Sequence, residues 1–224
     1  MAAWTGTPTE IVGQAVTLDQ GSFTLTVQGR SAGSETFNIR RLGTGDDARI
    51  IAQGQIRMEG PGGLLNLDPA LQASGPDADI TAYQVKVSGR ETEEVYVTLG
   101  DRRFLTRVRS EVGEQEREYR AAPGTLVLDA DVVHHYHFLG LRIDNGSPSS
   151  VPVIVPRGGR QYTLQISVQG NESLTVGGAS VSSRRYRLEG EGESWDLWLD
   201  DRGRVLRLEM PAAGFIAQRD AAPG

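Results

Sequence analysis

Short runs in which every second residue is apolar, each ended by a turn signal, restrict this chain to antiparallel β structure more tightly than any other feature. Residues 22–28 read Ser-Phe-Thr-Leu-Thr-Val-Gln, with Phe23, Leu25 and Val27 on one face and hydroxyl or amide groups on the other. That period of two is the mark of a strand buried on one side. It recurs at Phe37 and Ile39, at Tyr83, Val85 and Val87, at Val95, Val97 and Leu99, and at Tyr162, Leu164, Ile166 and Val168. It returns at Trp195, Leu197 and Leu199 and at Leu206, Leu208 and Met210. The 28 glycines and 10 prolines supply turns between these runs, at the spacing that an antiparallel sandwich or barrel produces.

Two hairpins can be specified further. A two-residue loop at Val112-Gly113 sets strands 102–111 and 114–121 side by side, with Arg109 opposite Glu116 and Arg107 opposite Glu118 in a solvent-facing charge ladder. Asp200-Asp201-Arg202-Gly203 reads as a turn in which Gly203 takes the positive φ and the acids shape the turn. Val27-Gln28-Gly29-Arg30, Val87-Ser88-Gly89-Arg90 and Val168-Gln169-Gly170-Asn171 each end a strand at a glycine, but their unequal separations exclude a solenoid. The stretch from Asn66 to Asp79, broken by Pro69, Gly75 and Pro76, reads as a loop, and Val151–Pro156 as an edge strand bounded by prolines. No linker divides the chain, so residues 1–224 are expected to form one β-rich domain, frayed at 221–224 and at 1–10.

One segment breaks the alternation. Val132, Tyr136, Leu139 and Ile143 recur at helical spacing, with Asp129 or Asp131 available to cap the start and Asn145-Gly146 to stop the end. His134, Phe138 and Leu141 lie on the other side, so this helix near residues 130–143 is apolar nearly all round. A helix of that kind is covered by protein on several sides, which places it in the concave face of a strongly curved sheet.

Composition narrows the function. With 29 acidic against 23 basic residues and a net charge of -6, the chain lacks the cationic excess by which nucleic-acid binders displace counterions. No apolar run approaches the roughly 18 residues of a spanning helix, and the N-terminus lacks the charged and apolar regions of a signal peptide. The absence of cysteine removes disulfides, thiolate metal sites and cysteine nucleophiles.

The three histidines fall within four positions, His134, His135 and His137. On a helix His134 and His137 share a face, close enough for two imidazoles to hold one metal ion if a third ligand came from elsewhere; equally, the rings can simply pack, or line a cavity. Glu189, Glu191 and Glu193 alternate near a turn and read as a solvated hairpin rather than a carboxylate pair across a cleft. No nucleophile elbow, phosphate loop or dinucleotide fingerprint is present, and no cofactor is expected. Trp195 and Trp198 occupy opposite faces of one strand, so one of them points outward or to a rim.

Residues 125–219 resemble a group of uncharacterised bacterial exported β-rich proteins in three blocks: Leu126-Val127-Leu128-Asp129 leading into His134-His135-Tyr136; Val153-Ile154-Val155-Pro156 with a strand ending in Gly170; and Arg185-Tyr186-Arg187-Leu188 followed by the run from Trp198 to Pro211. That group is similar in layout to the LolA/LppX-like fold, an unclosed antiparallel half-barrel wrapped around a helix over an apolar cavity. The resemblance implies an exported, periplasmic protein that holds or carries a lipid or other hydrophobic ligand. With the helix as plug or lid over the inner face of the sheet, Tyr136, His137, Phe138, Leu141 and Trp195 are the candidate cavity residues. Two alternatives from other classes are an enzyme built on the His134, His135 and His137 cluster, with or without metal, and an assembly subunit presenting its sheet to another envelope protein.

Overall fold

The computed structural model describes residues 15–60, 62–144 and 149–224. The elements in chain order begin with β1 (Val16–Val27), β2 (Arg30–Leu42), β3 (Arg49–Gly60), β4 (Gly63–Ser74), β5 (Asp79–Gly89), β6 (Glu93–Leu99), β7 (Arg103–Ser110) and β8 (Gly113–Arg120). They continue with β9 (Leu126–Val127), α1 (Tyr136–Asp144), β10 (Ser150–Val155), β11 (Arg160–Val176), β12 (Ala179–Gly190), β13 (Glu193–Leu199), β14 (Val205–Met210) and β15 (Phe215–Arg219). All fifteen strands form one sheet in the order β8-β7-β6-β5-β4-β3-β2-β1-β15-β14-β13-β12-β11-β10-β9. Two meanders run in opposite directions from the central β1–β15 pair, and every neighbouring pair is antiparallel except β9 with β10.

This is the expected unclosed curved sheet around one helix. Its free edges, β8 and β9, are consecutive in the chain and therefore close in space. The Gln161 side chain of β11 bridges the gap as a peptide group would, accepting from the Arg120 amide at 3.1 Å and donating to the Arg120 carbonyl at 2.7 Å. β8 carries a row of charges rather than apolar residues, which guards an edge against pairing with another chain.

Alternation places Phe23, Leu25, Phe37, Ile39, Tyr83 and Val85 inside, all buried, in a single cluster that includes Val132, Tyr136, Phe138 and Leu139 of the central segment. The helix packs backbone to backbone against the β13–β14 turn: a Cβ on Gly140 would lie 2.0 Å from the Gly203 carbonyl oxygen. Alanine in a helix interior normally stabilises by about 1 kcal/mol over glycine. Here Gly140→Ala is expected to destabilise by about 1–3 kcal/mol because the helix must move off the turn. Urea unfolding decides it, and a more stable variant would refute the contact.

Four details differ from the sequence reading. The helix starts at Tyr136 rather than near 130, because Asp129 and Asp131 are engaged elsewhere and Asp131 has φ +63°. The 66–79 stretch is mostly strand: β4 continues to Ser74, and only 75–78 turn. Pro69 is tolerated there because the β3–β4 ladder skips two pairs at that point, between Gln53–Ala70 and Ile56–Leu67. In the β7–β8 hairpin the turn is Glu111-Val112, Gly113 already pairs with Ser110, and Arg109 therefore faces Glu114 and Arg107 faces Glu116. The charge ladder stands, shifted by two residues.

Gly170, finally, marks a bulge within β11 rather than its end. Beyond it the β11–β12 arm lies over the outer face, where Val176, Leu174 and Val181 cover Trp198 and Leu206. Trp198 is thus the outward tryptophan, flanked by the Arg185 and Arg207 guanidiniums at 5.2 and 5.8 Å from its ring centre, while Trp195 joins the interior. At the other end of the chain Arg204 donates to the Gly224 carbonyl. Residues 1–10 and the Asn145-Gly146 helix stop lie outside the described residues.

Candidate functional site

The segment between β9 and α1, residues 128–135, lies within the curve of the sheet and is held there by buried charge. Glu35 sits on the inward register of β2 with Phe37 and Ile39 and is completely buried. Its carboxylate accepts from the Val133 amide at 2.7 Å, the His134 amide at 2.8 Å and His134 Nδ1 at 2.6 Å. An acid from a distant strand thereby satisfies the amides of the turn leading into α1, the task that a local cap performs in most helices.

Asp129 anchors the start of the segment. It accepts from the Tyr83 hydroxyl at 2.7 Å and the Arg157 amide at 3.1 Å, while Arg157 donates to the Ala130 carbonyl at 3.0 Å and to Glu93 at 3.1 Å. Burial pushes the Asp129 carboxyl up to about 6 despite the opposing pull of Arg157 and Tyr83. Burial also raises the Tyr83 hydroxyl well above the usual phenol range, reinforced by Asp129.

The histidines are interior residues. His134 stacks on Phe37 at 5.9 Å between ring centres, meets His135 edge-on at 4.9 Å, and His135 meets Tyr83 edge-on at 5.1 Å. The His134 ring lies where a Cβ on Gly54 would be 2.6 Å from it, so β3 needs glycine at that position. His137 faces the buried Asp19–Arg219 ion pair, whose shortest contact is 2.6 Å. Burial lowers His135 well below the usual imidazole range, helped by His134, and brings His137 down to about 4. His134 precedes the helix and is committed to Glu35, so it does not share a helical face with His137. Among the described residues no three His, Asp or Glu side chains converge in a metal-holding group.

Tyr136, His137, Phe138 and Trp195 are likewise buried, with Leu141 half-buried at the margin of the same core. Burial raises the Tyr136 hydroxyl, with the Trp195 indole acting against that rise. The structure brings Tyr136 and Trp195 together, but in packed interior.

Open space lies instead at one mouth of the curved sheet, in a cavity of about 660 Å³. Ala32 of β2, Met58 of β3, Leu208 and Met210 of β14 and Phe215 of β15 form one wall, and Val132 and Val133 of the central segment face them. Arg30, Glu59, Arg90, Asp129 and Asp131 line it as well. The volume is that of a small-molecule site, and the lining combines apolar side chains with five charged ones. A smaller crevice of about 390 Å³ at the Gly203 turn is more polar, and its Asp200 is already paired with Arg204 at 2.7 Å.

Glu35, Asp19 and Arg219 escaped the sequence reading. The signal was present: each shares the parity of its inward apolar neighbours, Glu35 with Phe37, Asp19 with Phe23, and Arg219 with Ala217. The mouth cavity had no such signal, because it arises where strand ends far apart in sequence converge.

The family described as a domain of unknown function (DUF6134) matches over residues 98–218. Among solved structures, a β-barrel-like protein of a domain of unknown function (DUF1849) from Brucella abortus aligns with a TM-score of 0.57 at 11% identity, covering 92% of this chain and 97% of that chain. At that identity the likeness shows the fold alone. No curated protein matches the chain.

Proposed function

The chain belongs to the DUF6134 family, and for this member we propose a binding role in which the mouth cavity takes the apolar part of a small ligand, a lipid or similar hydrophobic molecule. The observation that carries the reading is the cavity of about 660 Å³ between Val132-Val133 and the wall of Met58, Leu208, Met210 and Phe215. The central segment serves as a prop: pinned by Glu35 and Asp129, it stops the sheet from collapsing onto the space beside it.

Each methylene removed from water contributes about 0.8 kcal/mol, close to a fourfold gain in affinity. A series of straight-chain alcohols is therefore expected to bind about fourfold more tightly per added carbon until the cavity is full, and then to level off. Displacement of a fluorescent apolar probe reads this directly. A series that is flat from the shortest member would remove the proposal. Native mass spectrometry of the protein purified from its own host identifies the occupant.

The resemblance to exported proteins supports placing this activity in the periplasm. Fractionation of host cells tests the compartment independently of binding, and recovery with cytoplasmic markers would refute it.

A further inference from the structure

We propose that Met58 and Met210 form an oxidation-sensitive pair in the wall of the mouth cavity, and that converting their thioethers to sulfoxides with a peroxide weakens the binding of an apolar ligand there. This adds a means of control to the binding role above and rests on it.

The placement of sulfur carries the inference. The chain has three methionines and no cysteine. Met58 belongs to β3 and Met210 to β14, with β2, β1 and β15 between those strands in the sheet. Both nevertheless line the one cavity, so every sulfur among the described residues lies in its wall. The packed interior uses none, its buried apolar side chains among the described residues being aliphatic or aromatic. Each methionine stands two residues beyond a buried inward neighbour, Met58 after Ile56 and Met210 after Leu208. The thioethers therefore take over where close packing gives way to the mouth, and a flexible, unbranched side chain suits a wall that must fit a guest.

The same position opens them to chemistry. Both side chains are half-buried, so an oxidant entering the mouth reaches them, and no cysteine thiol in the chain competes for it. Hydrogen peroxide transfers one oxygen to the sulfur as its O–O bond breaks; the thioether is oxidised by two electrons, and the peroxide is reduced to water. The product is a polar S–O group in a wall shared with Val132, Val133, Leu208 and Phe215. An alkyl chain pressed against it strips that group of water without offering a hydrogen bond in return. Methionine sulfoxide reductases, one for each sulfoxide epimer, reverse the change.

The test measures dodecanol binding by probe displacement before and after hydrogen peroxide, on the wild type and on Met58→Leu/Met210→Leu, a swap that keeps the side-chain volume. Peptide mass spectrometry counts the oxygens added at Met58 and Met210, and Met1, present in both proteins, reports the oxidant dose. Wild-type affinity is expected to fall by on the order of tenfold once both residues carry oxygen and to return after treatment with the two reductases. The leucine variant is expected to bind dodecanol within about twofold of the wild type and to be unaffected by the peroxide. Met58→Gln/Met210→Gln, polar without any oxidant, is expected to bind weakly from the start. Unchanged binding by doubly oxidised wild type overturns the proposal, as does an equal loss in the leucine variant, or Met58 and Met210 left intact at a dose that converts Met1. A fall in the urea midpoint on oxidation that accounts for the lost binding assigns the effect to unfolding and overturns it too. Failure of dodecanol to bind the untreated wild type removes the binding role itself.

Discussion

Replacement of Glu35 by alanine is expected to destabilise the protein by about 3–5 kcal/mol, the range seen when one partner of a buried charged network is removed. The carboxylate holds three donors at once, the Val133 and His134 amides and His134 Nδ1, all within 2.8 Å and all away from solvent. Without it none of these has a replacement acceptor, and a buried donor left bare costs about 1–3 kcal/mol. Glu35→Gln keeps the shape but turns an –NH₂ toward groups that are themselves donors, so it is expected to recover only part of the loss. Urea unfolding with an unchanged slope measures both variants. Amide exchange at Val133 and His134 locates the damage, and a Glu35→Ala loss below about 1 kcal/mol would show that the central segment is held by packing alone. Because Val132 and Val133 form one side of the mouth cavity, Glu35→Ala is also the variant in which binding and fold fail together.

What could be read from the sequence divides along a physical line. Local alternation is a property of one strand, and the strands containing Phe23, Tyr83, Val95 and Leu164 stand where it put them. The family reading drawn from residues 125–219 overlaps the matched span 98–218. The failures share a cause: a decisive partner that is remote in sequence. Asp129 and Asp131 were the local choices for a helix cap, but the acceptor is Glu35, 98 residues before Val133. Pro69 argues against a central strand unless one knows that β3 drops its ladder bonds opposite it. Asp19 and Arg219 look like misplaced charges on inward positions until β1 and β15 pair and bring them to 2.6 Å across 200 residues of chain. The cavity is the extreme case, since the ends of β1, β3, β5 and β14 must all meet before it exists.

The interior titrations give an expectation on acidity whose sign differs between groups. Burial lowers His135 and brings His137 to about 4, against about 6.5 in the unfolded chain. Their contribution to stability is present above about pH 6.5 and is lost as pH falls. Asp129 runs the other way. Its folded value of about 6 exceeds the unfolded value of about 3.9, so its contribution is present below about pH 4 and is lost as pH rises through about 6. As pH falls below about 6.5 the unfolded chain takes up protons on His135 and His137 that the folded chain resists, and between about pH 4 and 6 the folded chain holds a proton on Asp129 that the unfolded one lacks. The histidines therefore make stability rise with pH across the window, and Asp129 opposes that rise. In Asp129→Asn the opposing proton is gone, so stability rises more steeply with pH. The variant is therefore expected to gain about 2 kcal/mol on the wild type between pH 4 and 6, whatever its starting point. Unfolding free energies at several pH values give the two curves. If they run parallel, the buried carboxyl beside Tyr83 does not take up its proton in that window, and the segment it anchors is solvated rather than enclosed.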